Sequence, residues 1–270
     1  MEGFLDFCLI FLQISLYPIG AFLICGLIVA FCERMVMYFC GRGGRGIIYA
    51  TSIIGTPVHE LGHALMCLIF GHRIQDMCIW CPDSGDGTLG YVEHSYNRRN
   101  IYQRLGNMFI GMGPIFSGLL FTFLVMLICF TETFDAHVIS VFTEGYEISS
   151  FSDLFVGGFS MIGDMFRDPT RIVIVKILGF VLIMCTCLHI NLSPADIKGS
   201  LSSLPVYLAI TLLISLPVYF ISGGFESAVI GGLSSWFSMG LTLYLPVMVA
   251  AACILIISFA FYIIRSLVNR

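Results

Sequence analysis

His59, Glu60 and His63 form an H-E-x-x-H sequence inside an almost unbroken apolar stretch. On a helix, residues four apart share a face, so both imidazoles can aim at one metal ion. Glu60 sits beside them, placed to take a proton from a metal-bound water. As a helix, Ile47 to Phe70 is ~36 Å long, against a bilayer hydrocarbon core of about 30 Å. His59 then lies ~18 Å from Ile47, near mid-bilayer. An acid and two imidazoles at that depth are costly, and such a cluster marks a functional site by default. One zinc ion is the expected cofactor.

The elements that must position these residues belong to a membrane protein. Of 270 residues, 58% are hydrophobic and 11% charged, whereas a soluble domain carries roughly 25% charged residues. The net charge of −4 comes without a basic block, so no nucleic-acid partner is expected. The eleven cysteines lie mostly in apolar runs and do not describe a disulfide framework. Glu2 and Asp6 replace a basic n-region, so no cleavable signal is expected.

The pattern predicts an all-α polytopic membrane protein with about six transmembrane helices and a small β-hairpin after the metal-binding helix. Apolar segments run over Phe4 to Cys32, the motif segment, Leu105 to Phe130, Ile172 to Ile190, Leu204 to Ile221 and Leu241 to Ile264. The chain divides into 1–46 (first helix and a Gly/Arg connection), 47–130 (core helices, with the hairpin in 71–104), 131–170 (an acidic extramembrane loop), 171–203 (a core helix and the third-ligand region) and 204–270 (two C-terminal helices). In the hairpin, Ile74 to Trp80 and Thr88 to Tyr96 flank the turn-forming Pro82-Asp83-Ser84-Gly85-Asp86-Gly87. Glu144, Glu147, Asp164 and Asp168 give residues 131–170 the character of a solvated loop, with a short surface helix around Phe151 to Phe159. His72, His94 and His137 are expected to be solvated, and Cys78 and Cys81 to be ordinary cysteines of the hairpin. The expected location is the plasma membrane, with both termini cytoplasmic. That places Arg73, Arg98, Arg99, Arg104, Lys198, Arg265 and Arg270 inside.

Catalytic zinc takes three protein ligands and a water. The extended motif H-E-x-x-H-x-x-G-x-x-H needs Gly at 66 and His at 69, where the chain has Met66 and Ile69. Glu93 lies in strand-like Gly90-Tyr91-Val92-Glu93-His94, the wrong context for a helical ligand. Two candidates remain near the end of the fourth apolar segment. Asp196 is a carboxylate at a helix break, but Ser193-Pro194-Ala195-Asp196 is equally a helix-capping pattern. His189 is the alternative third ligand, or a hydrogen-bonded histidine at a helix end.

These residues together resemble the site-2 protease family of intramembrane zinc metalloproteases. His59-Glu60-Leu61-Gly62-His63-Ala64-Leu65 resembles that family's motif helix. Gly111-Met112-Gly113-Pro114 is similar to its Ala-Gly-Pro element, and Asn191-Leu192-Ser193-Pro194 to its Asn-Leu-x-Pro. In the family an aspartate further downstream, followed by Gly, is the third ligand; here Asp196 comes two residues after Pro194 and the next Gly is Gly199. The resemblance implies His59, His63 and Asp196 as ligands and Glu60 as base. It implies Asn191 near the substrate backbone or oxyanion, and a hairpin edge over Tyr91, Val92 and Glu93 that pairs with an unwound membrane protein or peptide substrate. Two other readings remain. One is a membrane-anchored metallopeptidase that trims soluble or secreted peptides at the bilayer surface, and the other is a non-catalytic metal-binding scaffold.

Overall fold

The computed structural model describes residues 2–82, 85, 87–143, 151–221 and 224–268. Asp83, Ser84 and Asp86 of the expected turn, Glu144 and Glu147 of the acidic stretch, and Arg270 lie outside them. The chain begins with α1 (Glu2–Cys40) and α2 (Arg42–Ile69), then forms an antiparallel hairpin, β1 (Arg73–Cys78) with β2 (Tyr91–Ser95). Next come α3 (Ile101–Gly111), α4 (Gly113–Cys129), the short α5 (Thr131–Phe134), a π-helical turn (Asp135–Ile139) and α6 (Ser140–Thr143). α7 (Phe151–Arg167), α8 (Val173–Cys187), α9 (Pro194–Phe220), α10 (Phe225–Leu243) and α11 (Leu245–Val268) complete the order.

The all-α architecture with one small hairpin agrees with the pattern, while six crossings are not shown. Among the described residues, α1, α9 and α11 are long and apolar enough to cross a membrane. The bent pair α3–α4, broken by 57°, makes a fourth if it counts as one span. α8 has 15 residues, only ~22 Å of helix. α2 is long enough but too polar along one face. The expected last segment is split, because α10 ends at Leu243 and α11 begins at Leu245.

Along that polar face of α2, Ser52, Thr56, Glu60, His63 and Cys67 recur every three or four residues. All are buried, from 0% exposed at Ser52 and Cys67 to 7% at His63. Ile53, Leu61, Leu65 and Leu68 are exposed. Polar side chains inward and apolar ones outward is the reverse of a soluble helix, and it suits a hydrocarbon solvent. α2 packs on α4, α8, α1 and α3, while α3 packs on α9.

The described parts of residues 131–170 are more than a solvated loop, and the short helix expected around Phe151 to Phe159 extends to Arg167 as α7. Phe134, Val138 and Val141 repeat at helical spacing, as do Met161 and Met165, and all five are buried in the main core. The acidic residues hide this period in the sequence. Asp168 is itself buried: Oδ2 accepts from the Thr133 amide at 3.0 Å and Oδ1 from the Thr170 amide at 2.9 Å. Burial pushes its carboxyl up, but hydrogen bonds from Thr170 and Thr133 outweigh that and hold it below the ordinary value.

Two backbone approaches set how the core helices cross. A Cβ on Gly113 would lie 2.6 Å from the Gly62 carbonyl, and one on Gly111 would lie 2.5 Å from the carbonyl oxygen of Asp196. Only glycine permits α4 to touch α2, and α3 to touch α9, at those distances. Gly113→Ala is therefore expected to destabilise the protein by about 1–3 kcal/mol through overpacking. Gly231→Ala, where an added Cβ meets nothing within 4 Å, is expected to be neutral or mildly stabilising. Thermal unfolding in detergent checks the contrast, and equal melting points would refute the close-approach argument.

Candidate metal centre

His59 and His63 lie in the second half of α2, and Asp196 in the first turn of α9. Two orphan carbonyls aim the imidazoles. Pro114 has no N–H to give to the carbonyl four residues back, Ile110, so that oxygen accepts from His63 Nδ1 at 2.7 Å. The carbonyl of His189, just past the end of α8, accepts from His59 Nδ1 at 2.6 Å. A carbonyl cannot donate, so both rings carry their proton on Nδ1 and present an Nε2 lone pair.

Those lone pairs converge. The two Nε2 atoms are 3.1 Å apart; Asp196 Oδ1 is 3.2 Å from His63 Nε2, and Oδ2 is 3.8 Å from His59 Nε2. A tetrahedral ion with ligand bonds of ~2.0–2.1 Å has ligand–ligand edges of ~3.3–3.4 Å. Two imidazoles and a carboxylate at these separations fit such an ion, and the three residues could hold a metal. Asp196 closes the capping box with one carboxylate oxygen and faces the imidazoles with the other. Oδ2 accepts from the Ser193 amide at 2.8 Å, while the Asp196 amide donates to Ser193 Oγ at 3.2 Å, a closed capping box. Oδ1 faces His63.

The triad opens into a cleft of about 580 Å³ that also includes Glu60. Tyr91, Val92, His94 and Tyr96 of the hairpin form one side, and Asn107 with Ile110 of α3 another. The hairpin sits close because Gly90 has no Cβ, which would lie 2.8 Å from Glu60 Cγ. Trp80 Nε1 donates to Ser52 Oγ at 3.0 Å and ties the hairpin to α2.

Several expected site residues lie elsewhere. The His189 ring is bonded at Nε2 to Thr51 Oγ1 at 3.0 Å, and only its backbone carbonyl serves the centre. Asn191 is outside the cleft lining, because its amide donates instead to the Glu33 carboxylate of α1. Glu93 is exposed and does not line the cleft, whereas its neighbours Val92 and His94 do. Tyr91 does line the cleft and donates its hydroxyl to Asp76 across the hairpin at 2.7 Å. Cys78 and Cys81 are joined as a disulfide rather than free. His137 is paired with Asp164 at 2.9 Å.

His72 is not solvated, and His94 is half-buried at the wall of the cleft. His72 is 4% exposed, its Nε2 donates to the Gln103 carbonyl at 2.7 Å, and its Nδ1 meets His94 Nδ1 at 3.1 Å. Asn107, 7% exposed and lining the cleft, belongs to no motif that would single it out. No family model, no curated protein and no solved structure matches this chain.

Metal content separates ligand from orienting group. Asp196→Ala is expected to lose most bound metal, and His189→Ala to retain it, since a backbone carbonyl survives substitution; metal stoichiometry in purified protein decides. Burial lowers the affinity of His72 and His94 for protons, with His72 and His63 lowering His94 further. The unfolded chain protonates these histidines at about pH 6.5, the folded chain only at lower pH. Stability is complete above the ordinary value and declines as pH falls below it. His72→Phe is expected to flatten this dependence, as read by melting between about pH 7.5 and 5.

Proposed function

We propose that this protein is a zinc-dependent intramembrane endopeptidase. The observation that carries the reading is the convergence of His59, His63 and Asp196 beside a buried acid, in a cleft flanked by a strand. The resemblance of the motif helix, Gly111-Met112-Gly113-Pro114 and Asn191-Leu192-Ser193-Pro194 to site-2 proteases supports it. Zinc, when held by those three side chains, supplies a Lewis acid that activates water near neutral pH and polarises a peptide carbonyl.

The chain's own residues do the rest. Glu60, 6% exposed, accepts the proton of the attacking water and returns it to the leaving nitrogen. His189 and Ile110, through their carbonyls, hold the imidazoles in the ligating tautomer. β2 pairs with β1 on one side only among the described strands, so its other edge can take up the backbone groups that an unwound substrate exposes. In this reading the protein resides in the plasma membrane with both termini cytoplasmic.

The depth of the centre supports a second reading. His59 and His63 lie ten and six residues before the end of α2 at Ile69, ~15 and ~9 Å, so the centre sits between the helix midpoint and its hairpin end. An opening toward that end suits a surface peptidase acting on soluble peptides, and the buried Glu60 beside the triad argues against the scaffold alternative.

Glu60→Gln separates binding from turnover. The variant is expected to hold zinc at wild-type stoichiometry and to lose at least ~10²-fold in cleavage. Mapping new peptide ends in membranes of cells expressing wild type or variant reads this whatever the substrate. Ends within membrane spans support the first reading, and ends only in soluble segments support the second. Identical end maps for the two proteins would refute both.

A further inference from the structure

The carbonyl-to-imidazole device that aims the two metal-facing histidines recurs once more in the cleft, in a pair that ligates nothing. The Gln103 carbonyl accepts from His72 Nε2 at 2.7 Å. Neutral His72 then has only a lone pair at Nδ1, so in the 3.1 Å contact His94 Nδ1 is the donor. This leaves a lone pair on His94 Nε2, which has no hydrogen-bond partner among the described residues. His72 is locked in place, stacked on Tyr96 with centroids 4.8 Å apart and planes 16° from parallel. His94 is therefore held by an immobile partner and lines the same cleft as Glu60 and His63.

We propose that His94 is a substrate-binding residue whose Nε2 accepts a backbone N–H of the peptide lying in the cleft. This rests on the peptidase reading above. An unwound segment brings N–H groups that have lost their helical acceptors, in a place where an unpaired donor is costly. The two carbonyls beside the triad are engaged, Ile110 by His63 and His189 by His59, and the free edge of β2 offers acceptors along one line only. The Asp196 carboxylate is divided between the Ser193 amide and the imidazoles, and Glu60 handles the proton. His94 adds a side-chain acceptor beside that edge, and Asn107 offers a complementary donor for a carbonyl.

Calorimetry on the purified zinc-loaded protein with two probes tests this. Acetohydroxamate can ligate the metal but brings no peptide chain. A hydrophobic tripeptide hydroxamate adds backbone N–H groups. His94→Ala is expected to weaken the tripeptide ~10-fold and leave acetohydroxamate and zinc content unchanged. His94→Gln, whose amide oxygen can still accept, is expected to recover most of the loss. Equal tripeptide affinity in wild type and His94→Ala would overturn the inference, as would loss of zinc in His94→Ala or failure of His94→Gln to recover. If acetohydroxamate does not bind the wild type, the metal reading itself fails, and this inference with it.

Discussion

The distance between two backbones governs the centre. α2 brings two imidazoles, and α9 brings the carboxylate, from positions more than a hundred residues apart. The α3–α4 unit bridges them: Gly113 lies against Gly62, and Gly111 against the backbone of Asp196. A methyl group at either point would occupy space already filled by backbone, which cannot move aside as a flexible side chain can. The break between Gly111 and Gly113 serves a second purpose. Pro114 removes the donor for the Ile110 carbonyl, and that freed oxygen orients His63.

Lipid as solvent explains why such a polar arrangement is tolerated. The buried stripe on α2 has its polar groups turned to neighbouring helices, with leucines and isoleucines outward. Thr51 donates to the Ile47 carbonyl and Ser52 to that of Tyr49, so these hydroxyls largely satisfy themselves. What cannot be satisfied locally, the imidazoles and Glu60, is gathered at the cleft between α2, α3, α9 and the hairpin.

The hairpin is more than a connection. The Cys78–Cys81 disulfide closes the end of β1, and the Trp80–Ser52 and His72–Gln103 bonds fasten the hairpin to α2 and α3. The cost of burying His72 is met by partners at both ring nitrogens. Rigidity of this kind suits a surface against which a flexible peptide must be held.

The membrane class, the hairpin and the pair of imidazoles with their adjacent acid were legible in the chain, because each depends on local period and composition. Helical spacing alone puts His59 and His63 on one face, and alternation alone marks β2. The helices within residues 131–170 were obscured, since their apolar period is interleaved with acids. The choice between Asp196 and His189 was not local at all. Both sit at helix ends and both have a capping or hydrogen-bonding explanation. Only the crossing of α9 over α3 turned one carboxylate oxygen toward His63, and only the end of α8 turned the His189 ring away to Thr51 while offering its carbonyl. Likewise His72, His94 and Asn107 acquire meaning only when separate elements close around one cleft, because a side chain's surroundings are a property of packing that no single stretch of sequence contains.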